Sequence, residues 1–342
     1  MRKTIISIIV ILATISLYRV FVPTPAKLDA KPVVANPKEV YVPRYVKNIE
    51  VINYNIIGER TDRYEQRPQR IIAVGENITE TLVALGVEDQ IICAVSYGNP
   101  DYEPEPEYAE RYQTLRFAKN STINTEVVLA MQPDLIIAGQ SLFSGKGLKS
   151  TAFWNQRKIH TFLAFNANAP ASRKHQETLE LEYKFILGLG TIFDRTTAAR
   201  QIVARMQNTI DRLSTRAQGV PKPKVMIIEQ LGKHLVAYDA TKLAGDICTK
   251  LGAEVLPSPL GTVDLEYLLA VEPEVIFVVK SGGDAKQAAE SFKQIPGLQS
   301  LQAVKNNRVH GISLNYTYNS AIKTEAGIKQ FARGIYPELE VR

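Results

Sequence analysis

The sequence predicts an α/β fold in which two doubly wound lobes are joined by a single long α-helix. Three observations lead to this prediction: short apolar runs alternate with helical patterns, the alternation restarts in the second half, and a long amphipathic helix separates the halves. The chain has 342 residues, of which 45% are hydrophobic and 22% charged, so it is long enough to bury two cores.

The first half contains four apolar runs of the kind found in parallel strands that are buried on both faces. They occupy residues 70–74, 91–95, 135–139 and 161–165. Between the first two, ENITETLVALG predicts a helix that Asn77 caps, with Glu80 completing a capping box and Gly86 ending it. Between the second and third, NTEVVLAMQP predicts a helix that ends at Pro133. We therefore expect the N-terminal lobe over residues 49–170.

The same alternation returns over residues 220–342, where we expect the C-terminal lobe. Strands are predicted at residues 225–229, 254–256, 275–279 and 308–313, and helices through AGDICTKLG, LEYLLAVEP and IKQFARGI. The segments NTEVVLAMQPDLIIAG and VDLEYLLAVEPEVIFVV are near copies of each other, with Glu126 and Glu266 in matching places. We interpret each as the helix-to-strand unit at the centre of its lobe.

Connecting helices are predicted between the lobes, over residues 171–219. One covers residues 172–187 and the other residues 194–217, with Gly188 and Gly190 separating them. The second has one apolar stripe, formed by Ala199, Ile202, Met206, Ile210 and Leu213. Such a helix is roughly 36 Å long, which is enough to reach from one lobe to the other as a stiff strut.

The first residues have the pattern of an export segment. MRK precedes the apolar run TIISIIVILATISLY, and Arg19 and a proline-bearing polar stretch follow it. An uninterrupted membrane span needs about 20 apolar residues, so residues 1–30 are predicted to be either a signal peptide or an N-terminal membrane anchor. Residues 31–48 are predicted to be a proline-rich linker. The protein is therefore expected outside the cytoplasm, in the periplasm or cell envelope.

Several kinds of chemistry are disfavoured by the sequence. The net charge is +6, but the basic residues are interspersed with acids, which argues against nucleic acid as a partner. Cys93 and Cys248 lie in apolar runs and are expected to be buried. The glycine-rich stretch at residues 139–147 lacks the spacing of a phosphate loop, and no nucleophile motif or carboxylate pair is found. Four histidines are too far apart for a metal motif: His160, His175, His234 and His310. We therefore predict no enzyme activity, no metal site and no resident cofactor.

Aromatic and basic side chains accumulate where the predicted strands end. Rigid aromatic residues with a few cations suit a large ligand that is partly aromatic or anionic, held in a cleft. The candidate ligand-binding residues are Tyr97, Tyr102, Arg116, Lys119, Lys233, His234, Tyr238, Lys280, Tyr316 and Tyr318.

The order of several segments resembles the periplasmic binding proteins that serve ABC importers of iron siderophores, haem and cobalamin. The segments are PQRIIAVGENITETLVALGVEDQIICAV, NTEVVLAMQPDLIIAG, the helix pair through Ala217, LAGDICTKLGAE, VDLEYLLAVEPEVIFVV, LQAVKNNRVHGI and YPE. The resemblance covers residues 48–342. It implies a ligand cleft between the lobes, little hinge closure, and delivery of a small-molecule ligand to a membrane permease by a monomer.

In that family, arginines of the permease meet a carboxylate on each lobe. The resemblance makes Asp284 the docking carboxylate of lobe two, with Glu290 behind it. The corresponding loop of lobe one, QSLFSGKGLKS, has Lys146 and Lys149 and no acid. GENITE also replaces the usual serine- and proline-rich start of the first helix, a segment that lines the cleft in relatives. Symmetric docking is therefore not expected from this sequence.

The ligand remains open among three classes. Haem would need a tyrosine, histidine or methionine that reaches iron, cobalamin would need aromatic walls with few charges, and a ferric siderophore would need arginines, lysines and tyrosines. The basic candidates favour a ferric siderophore: Arg116, Lys119, Lys233, Lys242 and Lys280. The alternative function is a membrane-tethered sensor or scaffold protein that keeps the two-lobed fold without transport.

Overall fold

A computed structural model describes residues 45–55, 58–99, 102–144, 147–167, 176–232, 234–258 and 261–338. The predicted export segment and most of the predicted linker lie outside these residues. No helix in the described part is both long enough and apolar enough to cross a membrane.

An antiparallel hairpin comes first in the described chain and was not predicted. It consists of β1 (Tyr45–Tyr54) and β2 (Glu59–Gln66), so its first residues lie in the predicted linker. The buried Asn53 attaches it to lobe one. Its Nδ2 donates to Asp62 and to the Thr161 carbonyl, both at 2.6 Å, and its Oδ1 accepts from the Leu163 N–H at 3.1 Å. A polar side chain thus reinforces the packing of Ile49, Val51 and Tyr64 of the hairpin in the hydrophobic core.

Lobe one is an all-parallel five-stranded sheet with the order β5-β4-β3-β6-β7. Its strands are β3 (Ile71–Val74), β4 (Ile91–Ser96), β5 (Phe117–Lys119), β6 (Leu135–Ala138) and β7 (His160–Leu163). Its helices are α1 (Glu76–Ala84), α2 (Ala109–Gln113), α3 (Thr125–Met131) and α4 (Thr151–Asn155). The strand order reverses between β3 and β6, and the crevice outside the carboxyl ends at such a point is where open α/β sheets bind ligands.

Two connecting helices follow, α5 (Leu179–Ile192) and α6 (Thr196–Arg216). The prediction that Gly188 and Gly190 separate the helices is wrong, because both lie inside α5. A Cβ on Gly188 would lie 2.8 Å from Cζ of Phe162, and one on Gly190 would lie 2.4 Å from Cβ of Ala199. The glycines therefore allow close packing rather than a break.

The long helix itself agrees with the prediction. The 21 residues of α6 span roughly 32 Å. Its buried side chains include every member of the predicted stripe, namely Ala199, Ile202, Met206, Ile210 and Leu213.

Lobe two contains a mixed sheet with the order β11-β9-β8-β12-β13, and β10 pairs with β8. Its strands are β8 (Lys224–Leu231), β9 (His234–Ala237), β10 (Glu254–Val255), β11 (Thr262–Val263), β12 (Val275–Lys280) and β13 (Val309–Ser313). Its helices are α7 (Leu243–Lys250), α8 (Leu265–Val271), α9 (Ala285–Lys293), α10 (Gln302–Lys305) and α11 (Thr324–Ile335). β9 is antiparallel to β8, since Leu231 pairs with His234 and so short a connection cannot form a parallel crossover.

The two near-identical segments form the same structure in each lobe, as predicted. In lobe one, the Asn124 side chain caps α3 by accepting from the Val127 N–H at 2.9 Å, and in lobe two Asp264 caps α8 in the same way at 2.7 Å. Both helices end in a left-handed residue, Gln132 and Glu272. The helices are therefore delimited by equivalent signals.

An acid that follows the proline of each copy ties the unit to a neighbouring strand. Asp134 accepts from the backbone N–H groups of Gln69 and Arg70 at 2.7 and 2.9 Å, just before β3. Glu274 accepts from the Lys224 N–H at 2.8 Å, at the start of β8. The repeat thus specifies strand pairing as well as the helix-to-strand unit.

The expectation of two separate cores is not met, because the inner faces of both sheets share one hydrophobic core. This core includes Ile71 and Ile137 of lobe one, Val225 and Phe277 of lobe two, and the apolar faces of α5, α6 and α11. Smaller clusters cover the outer face of each sheet. All described residues accordingly belong to one compact unit.

Gly190→Ala should lower the free energy of unfolding by about 1–3 kcal/mol, because the added methyl overlaps Ala199. In an ordinary helix interior, replacing glycine with alanine would instead raise the free energy of unfolding by about 1 kcal/mol. Close packing and ordinary helix propensity therefore predict changes of opposite sign. Urea denaturation of the variant, with the exposed Lys184→Ala of the same helix as control, measures the effect. A variant that is more stable than the parent would contradict the close packing of α5 and α6.

Candidate functional site

The carboxyl ends of both sheets face a common region, which we call the interlobe cleft. Lobe one contributes Gly75 and Glu76 after β3 and Tyr97 after β4, and lobe two contributes Tyr318 after β13. Tyr97 and Tyr318 are 53% and 39% exposed, whereas the other three predicted tyrosines are half-buried. The Tyr97 and Tyr318 hydroxyls are close enough to interact electrostatically. Two aromatic side chains from opposite lobes therefore border the same space.

The ring of Tyr97 packs closely against Gly75. It has a φ of 106°, and a Cβ there would lie 3.1 Å from Cε2 of Tyr97. A side chain at this position would be strained and would displace the ring. The glycine of GENITE therefore leaves room for Tyr97 to form part of the cleft wall.

Both tyrosines are held as neutral phenols. Burial of the Tyr97 hydroxyl among protein atoms, together with the Glu76 carboxylate, raises its pKa to about 12. Burial likewise raises the pKa of Tyr318 to about 12, with contributions from Glu177 and from Tyr97. Neither side chain offers a phenolate at neutral pH, so each presents an aromatic face and a hydroxyl.

A buried cation joins the lobes beside the cleft, in a cluster that we call the interlobe lock: Lys323, Glu80, Glu105 and Tyr102. The Lys323 side chain is 2% exposed, and its Nζ lies 2.9 Å from Glu105 and 3.4 Å from Glu80. Tyr102 donates a hydrogen bond to Glu80, and its ring centroid lies 5.1 Å from Nζ. Burial raises the pKa of Glu80, and Lys323 opposes that rise. Tyr102 is therefore engaged within the protein.

The predicted capping box is wrong. α1 begins after Gly75 without a side-chain cap, since Glu80 faces the lock. Asn77 instead reaches lobe two, where its Nδ2 donates to the carbonyls of Asn315 and Asn319, both at 3.1 Å. The geometry of α1 places the Asn77 and Glu80 side chains on the surface that meets lobe two. The spacing of these two residues in the sequence fits a capping box equally well.

Further hydrogen bonds complete the joint between α1, α5 and residues 315–323. The Ile322 N–H donates to the Thr81 hydroxyl at 3.2 Å, and the Ala321 N–H donates to Glu182 at 2.6 Å. Glu182 also accepts from Asn166 at 2.7 Å. Burial raises the pKa of Glu182 to about 7, although both of these donors favour its ionised form.

Several predicted ligand-binding residues have partners inside the protein. Tyr238 donates to Glu229 at 2.7 Å, and Lys242 pairs with Glu177 at 2.8 Å. Tyr316 is half-buried and packs against the shared core. These side chains therefore support the cleft walls through contacts within the protein.

The basic candidates are exposed and spread along the carboxyl edges of the two sheets. Arg116 precedes β5, an edge strand of the lobe-one sheet, and Lys119 ends that strand beside Ser96. Lys280 is exposed at the end of β12, and His234 is exposed as the first residue of β9. Lys233 lies outside the described residues. The acids Glu76, Glu177, Glu182 and Glu229 are instead buried around the region that Tyr97 and Tyr318 border. No motif marks these acids in the sequence, because their spacing does not show that they are buried in one region.

The predicted permease-docking acids are both exposed on lobe two. Asp284 caps α9 by accepting from the N–H groups of Lys286 and Gln287 at 2.8 and 3.2 Å. Glu290 forms an ion pair with Lys293 at 2.8 Å. On lobe one, Lys149 is exposed and Lys146 lies outside the described residues.

The remaining candidates are structural. Cys93 and Cys248 are buried and unpaired, as predicted. His160 stacks on Tyr64 with ring centroids 4.2 Å apart, and His310 lies beside Phe277. His175 lies outside the described residues. Within the part of the chain that the structure describes, no three histidine, cysteine, aspartate or glutamate side chains are grouped to hold a metal ion.

Comparison with known proteins places this geometry in context. Residues 71–314 match the model of a family described as periplasmic binding protein. The chain is similar to the vitamin B12-binding protein of Vibrio cholerae, with 37% identity over 273 residues, 77% of this chain and 87% of that protein. It is also similar to a solved periplasmic binding protein from Veillonella parvula, with a TM-score of 0.78, 29% identity, and coverage of 89% of this chain and 96% of that one. A structure described as an ABC-type Fe3+-hydroxamate transport system, from Saccharomonospora viridis, shares the fold. Its TM-score is 0.69 at 19% identity, over 84% of this chain and 99% of that one.

Lys323→Met should lower the free energy of unfolding by about 3–5 kcal/mol, because it leaves Glu80 buried without its cation. Urea denaturation measures this loss. The double variant Lys323→Met with Glu80→Gln should recover much of it, since the fully buried acid is then neutral and the remaining acid, Glu105, is partly exposed. A loss below about 1 kcal/mol would show that Glu80 does not depend on Lys323.

Glu182 should make stability fall as the pH rises from about 5 to 8. Its pKa is about 7 when folded against an ordinary 4.5, so the folded state binds more protons between these values. The contribution is fully present below pH 4.5 and lost as the pH passes 7, and amounts to about 3 kcal/mol. The stability of Glu182→Gln should therefore improve relative to the parent over this range.

Thermal or urea unfolding at several pH values measures this difference. Glu180→Gln, an exposed substitution in the same helix, serves as the control and should follow the parent profile. If Glu182→Gln also follows it, Glu182 is ionised at neutral pH and the inferred burial effect is wrong.

Proposed function

The chain belongs to the periplasmic binding protein family, and from this premise we propose that it captures a corrinoid of the vitamin B12 type in the interlobe cleft. The family model covers residues 71–314, so the predicted resemblance is confirmed. The protein is a binding component of an ABC import system, acts outside the cytoplasm and is not an enzyme. Our proposal concerns the ligand and the route of its delivery.

The observation that carries the proposal is the pair Tyr97 and Tyr318. These neutral aromatic side chains border the cleft from opposite lobes. Lys242 is already paired with Glu177. A large macrocycle whose metal is already coordinated needs apolar walls rather than a metal ligand. The similarity to the Vibrio cholerae vitamin B12-binding protein supports this ligand class.

The same geometry gives less support to the ligands that the sequence favoured or left open. A ferric siderophore with negative charge would meet buried acids here, while Arg116 and Lys119 lie at the outer strand of the sheet. Haem bound through a tyrosine would require loss of a proton whose pKa is about 12 in Tyr97. None of the relatives named above is described as a sensor, so we do not extend the proposal to that alternative.

Delivery is proposed to run through a membrane permease that contacts lobe two at Asp284 and Glu290. Both acids are exposed, and Asp284 is held in place by its capping role in α9. Lobe one presents Lys149 in the equivalent region. We therefore propose that the two lobes contact the permease through opposite charges.

Isothermal titration of the purified protein with cyanocobalamin tests the proposed ligand. We expect one site per chain with a Kd below about 1 μM, which corresponds to more than about 8 kcal/mol of binding free energy. Calorimetry is preferable to tryptophan fluorescence, because Trp154 is fully buried and its indole N–H donates to the Lys149 carbonyl. Ferric hydroxamate and haem serve as competitors. Binding of either one, with none of cyanocobalamin, would overturn the proposal.

Tyr97→Ala and Tyr318→Ala should each weaken cyanocobalamin binding about tenfold, through loss of an aromatic wall. Phe117→Ala, which removes an exposed aromatic ring from the outer strand β5, is the matched control and should leave the Kd unchanged. Equal affinities in all three variants would place the ligand away from the tyrosine pair.

A further inference from the structure

Glu76 lies at the point where the lobe-one strand order reverses. It is the first residue of α1 and follows β3 through Gly75, while β6 lies on the other side of the reversal. Its carboxylate is near enough to the Tyr97 hydroxyl to raise that pKa. A charged side chain therefore lies at the base of the tyrosine wall.

This carboxylate is buried without a cation. Glu76 is 7% exposed, and Ser96 Oγ donates to its Oε1 at 2.6 Å. Ser96 in turn accepts from the Gly98 N–H at 2.8 Å, so its proton is directed at Glu76. No described residue donates to Oε2 or forms an ion pair with Glu76, whereas Glu80 and Glu177 both have lysine partners. Oε2 therefore has lone pairs that can accept a hydrogen bond from a further donor.

A second, independent observation concerns the next residue. Asn77 is 8% exposed, and its Oδ1 is buried without a hydrogen-bond partner. Its orientation is fixed, because Nδ2 faces the carbonyls of Asn315 and Asn319 and a flipped amide would bring oxygen against oxygen. Asn77 Nδ2 is therefore committed to lobe two and does not donate to the neighbouring Glu76 carboxylate.

We propose that Glu76 forms an acceptor subsite that binds a carboxamide N–H at the edge of the ligand and rejects a carboxylate there, while Asn77 holds α1 against lobe two behind it. The inference rests on the proposed corrinoid ligand, whose ring carries peripheral carboxamides. A carboxamide supplies two N–H donors, and a hydrogen bond to an ionised acceptor is about twice as strong as one between neutral groups. A carboxylate in its place offers only acceptors and adds a like charge beside Glu76.

The test uses cyanocobalamin and its monocarboxylic acids, in each of which one peripheral carboxamide has been hydrolysed. For the wild-type chain, at least one acid isomer should bind about tenfold or more weakly than cyanocobalamin, while isomers altered elsewhere bind about equally. In Glu76→Gln, whose amide can donate to a carboxylate, that preference should shrink to less than about threefold. Glu126→Gln removes an exposed acid from the first turn of α3, and is the matched control that should keep the wild-type preference.

The outcomes separate the two proposals. If wild type does not bind cyanocobalamin, the proposed ligand and this subsite are both wrong. If it binds cyanocobalamin but the preference is the same in wild type, Glu76→Gln and Glu126→Gln, only the subsite is wrong. Should Glu76→Gln fail to fold by circular dichroism, the wild-type titrations still decide the matter, because equal binding of every acid isomer would overturn the subsite.

Discussion

The geometry of the cleft depends on one buried cation. Lys323 precedes α11, where a positive charge is disfavoured by the helix dipole. It is stable there because it forms ion pairs with Glu80, which is fully buried, and with Glu105, which is partly exposed. The same contact brings α1 against residues 315–323, so that Asn77 reaches two lobe-two carbonyls and Tyr97 faces Tyr318. The lobes therefore present a cleft whose walls are positioned before any ligand enters.

The distribution of charge in space differs from what the composition suggests. The chain carries a net charge of +6, yet the region between the tyrosines is bordered by carboxylates, and several cations lie on outer strands or are paired. Electrostatic interactions weaken with distance and with water, so exposed lysines contribute little to a buried site. A ligand in the cleft lies close to a few acceptor groups without a cation, and these favour hydrogen-bond donors over anions.

Much of the framework could be predicted because its signals are local. The continuous apolar runs predicted β3, β4, β6, β7, β8, β12 and β13, and caps such as Asn124 and Asp264 marked the helices of the repeat. The hairpin β1–β2 was missed although its alternation of apolar and polar residues is typical of a half-buried strand, and strand β9 was missed because it has only four residues. Gly188 and Gly190 were misread because a glycine that permits contact with Phe162 or Ala199 looks like one that ends a helix.

The sequence by itself determined the two α/β lobes, the repeated helix-to-strand unit and the family, since these follow from periodicity and from the order of segments. Of the candidate site it predicted Tyr97 and Tyr318 among ten ligand-binding residues, because both come after predicted strands. Only the tertiary structure decided which charges meet: Lys323 is more than 200 positions from Glu80 and Glu105, and Glu76 and Glu80 have different partners although they lie four residues apart in one helix. Parallel strands bring residues distant in the chain to one edge, and only there do burial and distance decide whether a carboxylate is paired or left to bind a ligand.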